Sequence, residues 1–217
     1  MRKFGIGFVL LVFPILSIIT GFLVKGYQLE CARTAMKKKQ KLPEWIDFSK
    51  LFVNGILALI IGIVYALPFL IFLFLSVGTV FINMIKTGTE LTSEALITSM
   101  NSFTVPGLII TIILFVLAIY ITPIAVLNFV NKNKFKDAFK LKLVFKKAFT
   151  SKYLITIIFI LAYSIIIFMI TGGINYVFAL SANTILILII QNILSALTSF
   201  IIGVTAFTLI GEIYQKL

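Results

Sequence analysis

Five apolar runs, at about residues 4–24, 55–81, 105–130, 153–171 and 184–210, contain no Asp, Glu, Lys or Arg. This feature limits the fold more than any other. A helix needs about 20 apolar residues to cross the hydrocarbon core of a bilayer. A backbone inside hydrocarbon must also satisfy its own hydrogen bonds. Charge-free runs of this length therefore predict an all-α integral membrane protein. Composition agrees. The chain is 61% hydrophobic and 12% charged, whereas a soluble domain is about 45–50% apolar and roughly 25% charged.

The charges left over are unevenly placed. The formal net charge is +12. The basic residues concentrate in two segments, 25–54 and 131–152, each lying between apolar runs. Basic loops stay on the cytoplasmic side, and anionic headgroups attract them. The expected partners are therefore membrane lipids, with room for a membrane-protein partner, and no nucleic acid. The expected layout is a single transmembrane domain over residues 1–217 in the cell membrane. It has four transmembrane helices plus an N-terminal fifth segment. Both basic segments and the C-terminus are cytoplasmic. The fifth segment, 4–24, holds Pro14 at its middle and is basic on both flanks (Arg2, Lys3 and Lys25). It either crosses once or re-enters on the same side.

In the first basic segment, Arg33, Lys37, Lys38, Lys39 and Lys41 are candidates for headgroup contact and for fixing topology. Tyr27, Leu29, Ala32, Ala35 and Met36 suit a helix lying along the membrane surface. Trp45 is the only tryptophan, and its amphipathic ring suits the headgroup layer. Asp47 or Ser49 can cap the next helix by accepting from its free N–H groups. A short elbow over 48–54 would lead into the crossing. In the second segment, 100° steps gather Phe135, Ala138, Phe139, Leu141, Phe145, Ala148 and Phe149 on one side. Lys136, Lys140 and Lys147 point the other way and are the headgroup candidates there. This predicts a second amphipathic surface helix. On the opposite side of the membrane, the sequence predicts a loop over 83–104, carrying Glu90 and Glu94, and an uncharged turn over 172–183.

Little in the chain supports chemistry. It has no histidine and one cysteine, Cys31. A disulfide within the chain, a histidine acid/base and the usual zinc sites are thereby excluded. No catalytic, cofactor-binding or metal residues are expected, and no cofactor. The best polar feature inside the bilayer is a face of the last helix: Gln191, Asn192, Ser195, Thr198 and Ser199. It predicts either hydrogen bonds between helices or the lining of a polar cavity. The leading expectation is a non-catalytic scaffold or accessory protein gripping the cytoplasmic leaflet. The alternative is a carrier for a lipid-like or small neutral molecule.

One local pattern goes further. Gly26-Tyr27, Arg33, Leu42-Pro43-Glu44-Trp45, Leu51 to Gly55 (LFVNG) and Val64 to Pro68 (VYALP) resemble an integral membrane family catalogued as domain-of-unknown-function family 4013. The pattern covers about residues 26–68. Where that family usually carries an aspartate before the glycine of LFVDG, this chain has Asn54. The resemblance implies a cell-membrane protein and no established activity.

Overall fold

The computed structural model describes residues 17–39, 41–88, 104–180 and 184–217. The helices are α1 (Ser17–Met36), α2 (Phe48–Thr87), α3 (Thr104–Lys132), α4 (Leu141–Ala148), α5 (Ser151–Ala179) and α6 (Thr184–Tyr214), with a 3-10 turn at Phe135–Phe139 before α4. Among the described residues there is no strand. Four helices are long and apolar enough to cross a membrane: Phe48–Ile82, Val105–Lys132, Ser151–Ala179 and Ile187–Tyr214. The fold class is thus the expected all-α membrane type. The N-terminal segment up to residue 16 and residues 89–103, with Glu90 and Glu94, lie outside the described residues; where the sequence predicts a loop from residue 83, α2 continues to Thr87.

The helices are longer than the apolar runs. No elbow separates 48–54 from its crossing, since α2 is continuous for 40 residues through Pro68. Asp47 accepts from the Lys50 N–H at 3.2 Å and starts it. Likewise α5 runs through Gly172-Gly173 to Ala179, where the sequence predicts a turn. Each glycine inside a helix costs about 1 kcal/mol relative to alanine. An unsatisfied backbone group in hydrocarbon costs several kcal/mol, so the helix is the cheaper state.

The chain forms two compact units: residues up to Leu59 together with Pro123–Leu217, and residues Ile60–Thr122. In the second unit Phe69 packs on Phe115 with ring centroids 5.0 Å apart. The Thr111 hydroxyl donates to the Gly107 carbonyl at 2.7 Å and the Thr122 hydroxyl to the Ala118 carbonyl at 2.6 Å. These hydroxyls need nothing from outside their own helix. Most large side chains here face outward, among them Phe74, Ile112 and Val116, as hydrocarbon permits.

The first unit is built around α1. A Cβ on Gly26 would lie 1.9 Å from the Leu51 carbonyl oxygen, and one on Gly55 would lie 2.0 Å from that of Phe22. Two backbones therefore touch where α1 and α2 cross in antiparallel sense. Small residues permit this close approach. On its other side α1 runs parallel to α6. A Cβ on Gly211 would lie 2.6 Å from the Ala32 carbonyl oxygen, and Gln28 lies over Gly203. Tyr27, Cys31, Trp45, Leu51, Phe200 and Val204 fill the core between these elements. This placement differs from a helix resting on the surface. Residues 25–36 continue α1, and Tyr27, Leu29, Ala32, Ala35 and Met36 are buried against protein.

Candidate functional site

Three helix C-termini meet at one end of the first unit: α1 at Met36, α3 at Lys132 and α6 at Tyr214. The last C=O groups of a helix have no partner inside it, and together they carry about half a negative charge. Two cations answer them, Arg33 buried and Lys147 half-buried. Arg33, 8% exposed, donates to the Val130 carbonyl at 3.3 Å and to Asn133 Oδ1. Its other nitrogen pairs with Glu30 at 2.7 Å. Lys147 donates to the Tyr214 carbonyl at 2.9 Å and lies 3.8 Å over that ring. Asn133 takes a left-handed backbone, φ 54°, as asparagine does readily just past a helix end.

The signature residues between Gly26 and Gly55 lie in the first unit and act on protein, while Val64–Pro68 belong to the second. Tyr27 and Trp45 stack with centroids 4.1 Å apart and planes 4° from parallel. The Tyr27 hydroxyl donates to the Pro43 carbonyl at 3.1 Å, which ties the Leu42–Trp45 turn to α1. Trp45 is therefore buried rather than turned to a headgroup layer. Gly26 and Gly55 are the two close points of the α1–α2 crossing, and Arg33 clamps α1 to the end of α3. A match to the family described as "Protein of unknown function (DUF4013)" covers residues 9–176. The chain belongs to the DUF4013 family. No curated protein and no solved structure matches it. In this DUF4013 chain the pattern over 26–55 thus reads as a packing and clamping device.

Between the three helix ends lies a cavity of about 250 Å³, bordered by Glu30, Arg33, Lys37, Lys50, Asn131 and Asn133. Gln215 also borders it and donates to Asn131 Oδ1 at 3.3 Å. Lys37, Lys38, Lys39 and Lys41 are all exposed, and only the first of them borders the cavity. In the second basic segment Lys136 and Lys140 are exposed. Lys140 pairs with the buried carboxylate of Asp137. Its hydrogen bond, helped by the charges of Lys132 and Lys134, holds that carboxyl below the ordinary range. Lys147 is half-buried and spent on the Tyr214 carbonyl. On α4, Val144 and Ala148 are buried while Leu141, Phe145 and the C-terminal cap Phe149 are exposed, with Lys142 and Lys146 beside them.

On α6, Gln191, Asn192, Ser195 and Ser199 are exposed and Thr198 is buried. Asn192 donates to the Leu188 carbonyl of its own helix at 2.8 Å. Sequence reasoning missed Tyr214, whose hydroxyl donates to Asn128 Oδ1, and missed Asn131, Asn133 and Gln215. Their only signal was amide residues at the ends of apolar runs. Their partners lie between 84 and 100 residues away, and nothing in the sequence connects them. Burial pushes the Cys31 thiol up to about 12, so it is a packing residue in its present setting.

Proposed function

We propose that this DUF4013 protein is a non-catalytic membrane scaffold or accessory protein, and that its basic end grips the cytoplasmic leaflet of the cell membrane. One observation carries the reading. Leu141 and Phe145 on α4 and Phe149 just past its end stand exposed at intervals of four, flanked by the exposed Lys142 and Lys146. Spaced so, they make one apolar strip along the helix. A strip of this kind edged with lysine inserts about 5–10 Å into the headgroup boundary. Each basic residue at an anionic surface adds about 1 kcal/mol. The exposed Lys37, Lys38, Lys39 and Lys41 extend the same charge. The positive-inside rule gives the orientation.

The carrier reading has less support. It needs the polar residues of α6 to line an internal cavity, and four of the five are exposed on the helix instead.

Native mass spectrometry of the protein taken directly from its own membrane tests the reading. Retained anionic lipid, alone or with a stoichiometric protein partner, is the expected result. One discrete small neutral molecule bound at stoichiometry, with no preference for anionic lipid, would overturn it in favour of a carrier.

A further inference from the structure

We infer that the cavity between the helix ends is a phosphate-binding site, which holds a phosphate group between Lys37 and Lys50 with Asn131 and Asn133 beside it. The inference deepens the leaflet-gripping reading and rests on it.

Charge is the first argument. Arg33 and Glu30 compensate one another at 2.7 Å. Lys37 and Lys50 border the same cavity, and among the described residues neither has an ion-pair partner. The uncompensated charge is therefore positive. The carbonyl ends of α1, α3 and α6 oppose an anion with about half a charge each, about one and a half in all. Two full ammonium charges outweigh them, and the Val130 carbonyl is already covered by Arg33.

Hydrogen-bonding sense is the second argument. Asn133 Oδ1 accepts from Arg33 and Asn131 Oδ1 accepts from Gln215. An amide whose oxygen is taken keeps its NH2 for donation. Each asparagine thus still offers two N–H donors beside one remaining oxygen lone pair, and the lysines are donors only. A set of this kind suits a group made of acceptor oxygens and disfavours a metal cation. The cavity of about 250 Å³ has room for a phosphate and its ester carbons, and Met36 supplies an apolar wall. The chemistry is shared by a phospholipid headgroup and by free phosphate.

Full-length protein in nanodiscs of phosphatidylcholine and phosphatidylglycerol provides the test. Retention of phosphatidylglycerol is read by native mass spectrometry for three proteins: wild type, Lys37→Gln/Lys50→Gln and Lys38→Gln/Lys39→Gln. The two double variants lose the same charge, and every changed lysine is exposed. The cavity pair should weaken retention of one lipid by about tenfold or more, and the surface pair by about twofold or less. Displacement of that lipid by inorganic phosphate in wild type alone would assign free phosphate as a second source. Resistance to displacement would assign the headgroup. Equal losses in the two variants would overturn the site in favour of diffuse surface charge, leaving the leaflet reading intact. No preference for phosphatidylglycerol in wild type, together with no binding of inorganic phosphate, would overturn both.

Discussion

In the first basic segment Tyr27 and Trp45 face inward; in the second Phe145 and Phe149 face outward. Tyr27 and Trp45 are stacked and buried in the core, while Phe145 and Phe149 are stacked and exposed. Both segments are rich in lysine and both adjoin apolar runs. The difference lies in what stands beside the rings. Gly26 and Gly55 let two backbones touch, so the neighbouring rings are enclosed from both sides. On α4 the residues that pack inward are the smaller Val144 and Ala148, and the larger ones are left outside. Similar composition thus gives a clamp in one place and an exposed apolar strip in the other.

The largest effect should come from closing the contact that separates the two segments. Gly26→Val places a Cβ 1.9 Å from the Leu51 carbonyl oxygen. Overpacking a core costs about 1–3 kcal/mol when side chains can shift, and here the obstacle is backbone. The expected outcome is little or no folded protein by fluorescence-detected size exclusion. A Gly26→Val variant with wild-type yield and Tm would remove the close crossing from the account.

Arg33→Met should follow. It strips the cation from Glu30, the Val130 carbonyl and Asn133. Removing one partner of a buried pair costs about 3–5 kcal/mol, and because Glu30 is half-buried we expect about 3 kcal/mol. Thermal unfolding in detergent measures it. An unchanged Tm would mean that Arg33 contributes nothing to holding α1 on α3.

Cysteine reactivity sharpens the inward–outward contrast. Cys31 is 2% exposed, and with its thiol pushed up to about 12 the thiolate is scarce at neutral pH. It should resist a soluble maleimide until the protein is unfolded. A cysteine at Phe145 in a Cys31→Ser background should react readily in detergent and be protected in nanodiscs. Rapid native labelling of Cys31 would contradict its burial.

The smallest stability change should come from the outward strip itself. The triple variant Leu141→Ser/Phe145→Ser/Phe149→Ser alters exposed side chains, and such changes usually stay within about 0.5 kcal/mol per site. Its Tm in detergent should be close to wild type. Contact of α4 with lipid, read by spin-label depth, should be lost. A large fall in Tm would show that these rings serve the fold rather than the leaflet.

Much of the fold was legible. The charge-free runs at 55–81, 105–130, 153–171 and 184–210 each fall within a helix long enough to cross a membrane, and Asp47 caps α2 as its position indicated. The candidate site was legible only in part. Lys37 and Arg33 stood out as cations of a basic segment. That Arg33 turns inward while Lys37 stays exposed depends on the end of α3, about a hundred residues away.

The sequence by itself determined the membrane class, the four long apolar helices found among the described residues and the two basic segments. Each follows from local hydropathy and charge, and every residue carries its own share of both. The tertiary structure alone decided which cations are spent on helix ends, which rings are enclosed, and that Lys37, Lys50, Asn131 and Asn133 border one cavity. Those outcomes depend on backbones approaching to contact at Gly26, Gly55 and Gly211. A glycine in a sequence shows that such an approach is possible, but not which helix will make it.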